Sequence, residues 1–244
     1  MKTIGVIGGL GPQATMDFES RAHRCAQQLI APNGNSGYPP MIVYYYRYVP
    51  FVATEAGAPE PPLRPDIRFL DAAAKLGQMA DFIVITSNFL HLFQAQIEEA
   101  ARCEILSMID LSLAEVGRRQ WRRVGVPGFG DPVVYTNPLA AMGLTSETIK
   151  GELRTRLDEA IHKVMEGRED AESIRTAHEA VDELRARPVD GIIMGCTEIP
   201  LLLGDAADAP DLINPLQLLA EAAVKHAITP TGDANTHRRE VVLL

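Results

Sequence analysis

One internal repetition constrains this 244-residue chain more than any other feature. Asp81-Phe82-Ile83-Val84-Ile85-Thr86-Ser87-Asn88 aligns with Asp190-Gly191-Ile192-Ile193-Met194-Gly195-Cys196-Thr197, 109 residues later. Each stretch is an acid, a short apolar run and a small polar ending, as expected of a strand buried on both faces of a parallel sheet. Two further echoes keep the same order. Ile4-Gly5-Val6-Ile7-Gly8 is echoed by Val124-Gly125-Val126-Pro127-Gly128 at an offset of 120. Ile105-Leu106-Ser107 is echoed, faintly, by Leu212-Ile213-Asn214 at an offset of 107. Buried parallel strands all read alike, so one echo carries little. Three in order argue for two related α/β halves.

Between these strands the pattern turns helical. Pro12 falls at a first helical position, where proline is tolerated, and Ala14, Phe18, Ala22, Cys25 and Leu29 recur at steps of three and four. Residues 32 to 40 are crowded with Pro, Asn and Gly and read as a loop, and Met41–Tyr46 as a second strand. The Pro-rich passage from Pro50 to Pro65 is too long for a simple connector and reads as a lid. Asp66–Met79 and Leu90–Ala101 read as helices around the strand Phe82–Thr86, with a short strand at Leu106. Glu147–Glu166 and Ala171–Ala186 read as two helices charged on their outer faces. Strands alternating with helices build parallel βαβ units.

Composition removes several classes. A hydrophobic share of 46% with 23% charged residues is ordinary globular composition, not that of a disordered chain, a collagen or a disulfide scaffold. No apolar run reaches the roughly 18 residues of a membrane span, and no signal-peptide core follows Met1. A net charge of −9 argues against nucleic acid as a partner. Three widely spaced cysteines, Cys25, Cys103 and Cys196, suit a reducing compartment, so the expected location is cytoplasmic.

Two motifs carry chemistry. Gly9-Leu10-Gly11-Pro12-Gln13-Ala14 satisfies the glycine fingerprint of dinucleotide sites, but no carboxylate stands about 20 residues on to hold a ribose. The turn is instead expected to aim backbone N–H groups at an anion, or to be a tight turn without a ligand. The strand ends are the stronger signal, because ligands of open α/β folds bind beyond the carboxyl ends of the strands. Ser87 and Cys196 hold equivalent posts there. Thr197-Glu198-Ile199-Pro200 reads as a helix start, which would lower the Cys196 thiol pKa and make it a usable base. Cys25, on the apolar helix face, and Cys103 read as inert, and His91 as a structural hydrogen-bonder. His23, His162, His178 and His226 have no metal-ligand spacing with the cysteines. Tyr44-Tyr45-Tyr46-Arg47-Tyr48 alternates faces, so half is core, and its end brings Arg47 towards a substrate carboxylate. Arg118, Arg119, Arg122 and Arg123 around Trp121 read as a solvated face.

Taken together, Ile4–Thr15, Ser87-Asn88-Phe89-Leu90-His91, Ser107-Met108-Ile109-Asp110 and Gly195-Cys196-Thr197-Glu198 resemble the aspartate/glutamate racemase family, from the N-terminus to about Ala227. The resemblance implies two pseudo-symmetric α/β domains, no cofactor, a homodimer, and two cysteines facing across a cleft as acid and base. Cys196, Asn88 and Thr197 match the family's motifs directly. Ser87 stands where the first cysteine usually is, and Phe89 where a Thr usually helps hold the substrate. Pro127–Pro132 replaces a Thr-rich turn, and Val52 occupies the post of the carboxylate-binding Arg, with Arg47 nearby. Arg154 and Arg156 are the candidate cations of the second half.

The expected fold is α/β, two pseudo-symmetric parallel-sheet domains with the active site in the cleft between them. Residues 1–109 with 215–228 make the first domain, 110–214 the second, and 229–244 a loose tail. The expected activity is cofactor-independent racemisation of an acidic amino acid, by proton transfer at the carbon α to a carboxylate. Cys196 and Ser87 are the catalytic candidates; Gly9, Gly11, Arg47, Asn88, Thr197 and Glu198 are the substrate-binding ones, with no metal. Two alternatives stay open. One is a one-cysteine isomerase or decarboxylase of a dicarboxylate; the other is a carboxylate-binding protein without turnover.

Overall fold

The computed structural model describes residues 1–55 and 59–229. Four strands, β1 (Ile4–Gly8), β2 (Met41–Tyr45), β3 (Phe82–Ile85) and β4 (Ile105–Leu106), form a parallel sheet in the order β2-β1-β3-β4. Strands β5 (Arg123–Gly125), β6 (Thr145–Glu147), β7 (Gly191–Ile193) and β8 (Leu212–Ile213) form a second, ordered β6-β5-β7-β8. The two orders are one permutation used twice. Each sequence echo is a pair of equivalent strands.

The repetition extends to polar anchors. Asp81, just before β3, accepts a hydrogen bond from the Thr3 N–H at 2.6 Å as the chain enters β1. Asp190, just before β7, does the same for Arg122 and Arg123 at 2.6 and 2.8 Å as the chain enters β5. Each acid therefore ties its own strand to the neighbouring one. After β4 the Ser107 hydroxyl accepts from the Asp110 N–H and caps α4 (Met108–Arg118). After β8 the Asn214 amide oxygen accepts from Leu216 and Gln217 and caps α9 (Pro215–Ile228). Such caps stabilise a helix by about 1 kcal/mol each.

Three cores follow from the layers. One lies outside the first sheet, where α2 (Ile67–Gly77) and α3 (Gln94–Ala101) cover Ile83 and Ile85. Another lies outside the second sheet, under α6 (Gly151–Met165) and α7 (Ala171–Arg185). The third belongs to both halves, joining Val6, Phe18 and Val84 to Val124, Tyr135 and Ile193. Helix α1 (Pro12–Leu29) and α9 pack on each other within it, and the Lys2 N–H donates to Ala227 O at 2.8 Å. The last helix thus returns to the first sheet.

Three elements differ from the sequence expectation. Glu147 ends β6 instead of opening a helix; α6 starts at Gly151. Strand β6 reads Thr-Ser-Glu because it is a half-exposed edge, without the apolar run of a central strand. Helix α5 (Val133–Ala141) hides behind an internal Pro138, and the residues Phe89–Phe93 form a 3₁₀ turn ahead of α3. Within 50–65 the described residues pair across antiparallel bridges, Phe51 with Pro65 and Ala53 with Pro59. The tail expected over 229–244 lies, past Thr229, outside the described residues. No described helix is long and apolar enough to cross a membrane.

Candidate active site

A cavity of about 800 Å³ opens where the carboxyl ends of β1 and β3 meet that of β7. All eight candidate residues line it: Gly9, Gly11, Arg47, Ser87, Asn88, Cys196, Thr197 and Glu198. Both strand ends therefore face one space, as their equivalence requires.

The glycine turn is shaped by close approach. Gly9 has a φ of +92°, and a Cβ there would lie 2.9 Å from the backbone of Tyr45 and Tyr46. A Cβ on Gly11 would collide with the Glu198 carboxylate of the other half. Gly9 therefore has to be glycine, and any side chain at Gly11 would displace the Glu198 carboxylate. The Gly9 N–H is already taken, donating to Thr15 Oγ1 at 2.9 Å, and Thr15 Oγ1 in turn meets Thr86 Oγ1 at 2.9 Å. At Gly9 the turn thus offers no free N–H to an anion, contrary to the sequence reading. Its carbonyl instead accepts from Arg47 Nη1 at 3.0 Å, while the guanidinium lies 5.0 Å over the Tyr45 ring. Arg47 is fixed at the cavity wall with further donors to spare.

The end of β3 is held by neutral hydrogen bonds. His91 Nδ1 donates to Ser87 O at 2.9 Å, and its Nε2 accepts from the Met108 N–H at 3.3 Å, which defines one neutral tautomer. Burial pushes the His91 pKa down to about 4. Asn88 is 5% exposed, and Tyr135 from α5 donates to its Oδ1 at 2.7 Å. That bond turns Asn88 Nδ2 away from Tyr135 and leaves it without a partner. An orphan buried donor on the wall of a cavity is prepared to meet an acceptor.

The end of β7 is held differently. Cys196 Sγ donates to Glu198 Oε2 at 3.0 Å, and Thr197 Oγ1 donates to the same oxygen at 3.0 Å. Burial, then the Glu198 charge, push the thiol pKa well above its ordinary value. Burial also pushes the Glu198 carboxyl up. This corrects the expectation of a helix-lowered thiol: α8 (Ile199–Leu203) starts three residues later, is only five residues long and has Glu198 itself at its N-cap. A carboxyl and an apolar wall outweigh so short a dipole.

Sequence matching 7–223 carries the signature of a family described as Asp/Glu/Hydantoin racemase. The chain belongs to that family. A broad specificity amino-acid racemase, RacX of Bacillus subtilis (strain 168), is 22% identical over 237 residues, covering 91% of this chain and 96% of the relative. Among solved structures, the aspartate racemase of Picrophilus torridus superposes with a TM-score of 0.73 at 19% identity, covering 93% of this chain and 94% of that one. An aspartate racemase homologue from Pyrococcus horikoshii OT3 gives 0.71 at 18%, covering 93% and 99%. These likenesses agree on a two-domain α/β fold.

In this family member several expected cations stand elsewhere. Arg154 pairs with Asp131 and Asp158, and Arg156 with Glu179; neither lines the cavity. Val52 lies outside the lining, its N–H bonded to Arg64 O. Cys25 and Cys103 are also absent from the wall, and burial raises both thiols. Arg118 and Arg119 pair with Glu115, and Arg119 stacks on Trp121, as a solvated face would. Tyr135 escaped the sequence reading because no motif surrounds it; only its placement against Asn88 gives it a role. Among the described residues no three His, Cys, Asp or Glu side chains cluster as metal ligands.

Proposed function

We propose that the protein is a cofactor-independent isomerase that moves a proton at the carbon α to an amino-acid carboxylate, with Cys196 as the acid/base. The observation that carries this reading is the Cys196–Glu198 contact at 3.0 Å, set on a cavity wall beside an unpartnered Asn88 Nδ2. The pair shares a proton. When Cys196 S–H passes its proton to Glu198, the thiolate can take the substrate's α-proton, and the bond electrons move into the carboxylate as an ene-diolate. Asn88 Nδ2 and the Arg47 guanidinium are the donors that would stabilise that charge, both from residues lining the cavity. Thr197 holds Glu198 in place. The sequence expectation of an acidic amino acid is one member of this class.

Ser87, on the other strand end, returns a proton from the opposite face, as its hydroxyl takes a replacement proton from water in the open cavity. An alkyl hydroxyl is a far weaker acid than a thiol, so inversion is the slower outcome and return from Cys196 the faster. Each half thus contributes one proton post, in a protein read as a homodimer of two-domain subunits (1–109 with 215–228, and 110–214). A second reading rests on the same asymmetry. Cys196 is the one thiol lining the cavity among the described residues, which suits protonation of a planar intermediate from one face, as in a decarboxylase or a dicarboxylate isomerase.

The test is incubation with amino acids in D₂O, followed by NMR at Cα and by chiral analysis. Deuterium uptake faster than inversion, and lost in Cys196→Ala, is the expected result. Release of CO₂ from a malonate-type diacid without exchange on amino acids would favour the second reading. Ligand-induced thermal stabilisation with no exchange and no CO₂ would mean a carboxylate-binding protein.

A further inference from the structure

We infer that the substrate of this cavity carries a bulky apolar group, of aromatic size, on its reacting carbon in place of a second carboxylate. The inference rests on the proposed reaction taking place in this cavity. Its first support is the division of the wall. Ser87, Asn88, Cys196, Thr197 and Glu198 bring polar atoms from the two strand ends, whereas Phe51, Phe89, Leu92, Phe129, Val133 and Met165 give the wall a large apolar share. Phe51 and Phe89 stand edge to face, 5.7 Å between centroids, and Phe129 reaches in from the other half.

Size points the same way. A cavity of about 800 Å³ lies in the range of roughly 300–1,000 Å³ that encloses drug-sized ligands. A four-carbon diacid would leave most of the aromatic wall wet. Phe89 is 38% exposed and Phe129 47%, both unusual for side chains that size unless something covers them.

Charge is the third support. Among the described residues Arg47 is the one Lys or Arg on the cavity wall, and one guanidinium answers one carboxylate. Arg154 is drawn off by Asp131 and Asp158. Asp131, which lines the cavity, thus holds Arg154 in an ion pair at 2.9 Å and adds no free cation to the wall. His162 also lines it, but its ring is packed against Phe129, 4.8 Å between centroids. A second carboxylate would therefore sit unpaired against phenyl rings, at a desolvation cost that an apolar group avoids.

The test separates this inference from the reaction by measuring equilibrium binding of two unreactive acids, 3-phenylpropanoate and succinate, by calorimetry. The expected result is tighter binding of 3-phenylpropanoate by at least about tenfold, since even one methylene in an apolar pocket discriminates roughly 10–200-fold. Phe89→Ala and Phe129→Ala should each weaken 3-phenylpropanoate about tenfold or more and leave succinate unchanged. Exposure of both side chains makes the variants safe to fold, and circular dichroism checks it. Equal or tighter binding of succinate, or no binding of either acid, overturns the inference. The proposed reaction is judged separately, by exchange at Cα: exchange on aspartate with a succinate preference keeps the reaction and sinks the apolar substrate. A 3-phenylpropanoate preference without any exchange keeps the apolar site and sinks the reaction.

Discussion

The ends of β3 and β7 occupy the same post in two sheets of the same strand order, yet they are held in opposite ways. At Ser87-Asn88 every contact is neutral: the His91 imidazole clamps the Ser87 carbonyl, and Tyr135 clamps the Asn88 amide. At Cys196-Thr197 a thiol and a hydroxyl both point at one buried carboxyl. In the proposed reaction the first end offers a fixed donor and the second a movable proton. The two halves thus repeat positions without repeating the polar contacts made there.

The comparison breaks most sharply at the thiol. Cys196→Ala removes the movable proton and should lower exchange at Cα by about 10²–10⁴-fold, the range of general acid–base catalysis. Ser87→Ala should leave exchange nearly intact and depress only inversion. Equal losses in the two variants, measured as deuterium uptake against chiral inversion, would make the two ends alike after all.

The neutral character of the first end has its own signature. His91 has a folded pKa of about 4 against an ordinary 6.5. Between those values the unfolded chain binds the proton and the folded one does not, so stability is fully present above about pH 6.5 and is lost as pH falls through about 4. The shift corresponds to about 3 kcal/mol. Urea denaturation across that window should show the loss, and His91→Gln should flatten the slope. An unchanged slope in the variant would place the acid sensitivity elsewhere.

How much of this was legible in the sequence follows from what each element is made of. Central strands are apolar on both faces, so β1, β3, β5 and β7 announce themselves, and the acids Asp81 and Asp190 mark where two of them begin. Edge strand β6 is Thr-Ser-Glu and carries no such pattern. The eight candidate residues were readable because strand ends and a glycine turn converge by topology. Their energetics were not. A thiol pKa depends on what lies beside it, and the Glu198 carboxyl, two residues on, outweighs the helix start that the sequence suggests. Tyr135 and the phenyl-lined wall come from segments with no motif at all.

A gentler change asks whether the first end can be made to resemble the second. Ser87→Cys supplies a thiol opposite Cys196 and should raise inversion by about 10²-fold, the lower end of the acid–base range. Exchange from the Cys196 side should barely move. The near equality in size of Ser and Cys keeps the fold. A folded variant with no gain in inversion on any active substrate would mean that Ser87 is no vacant base post, and the single-thiol reading would then stand.

The smallest expected change lies within the second end. Two causes raise the Cys196 thiol: burial first, then the Glu198 charge together with the hydrogen bond to it. Glu198→Gln removes the second and keeps the first, so the thiol pKa should fall towards its ordinary value without reaching it. Thr197 still finds an acceptor in the Gln amide, and the side chain still fills the space against Gly11. Thiolate absorbance titrated against pH should show the fall directly. In the pH–rate profile of exchange the rising limb, which follows thiolate formation, should move to lower pH. The rate below the limb carries a separate message. If Glu198 also accepts the thiol proton during the reaction, the plateau holds but exchange below the limb, where the thiol is still protonated, falls, because the Gln amide cannot take that proton. If Glu198 only raises the thiol, the limb moves and exchange below it rises with the larger thiolate fraction. A variant in which neither the limb nor the rate below it changes would reduce Glu198 to packing against the glycine turn, and the contrast between the two strand ends would rest on Cys196 alone.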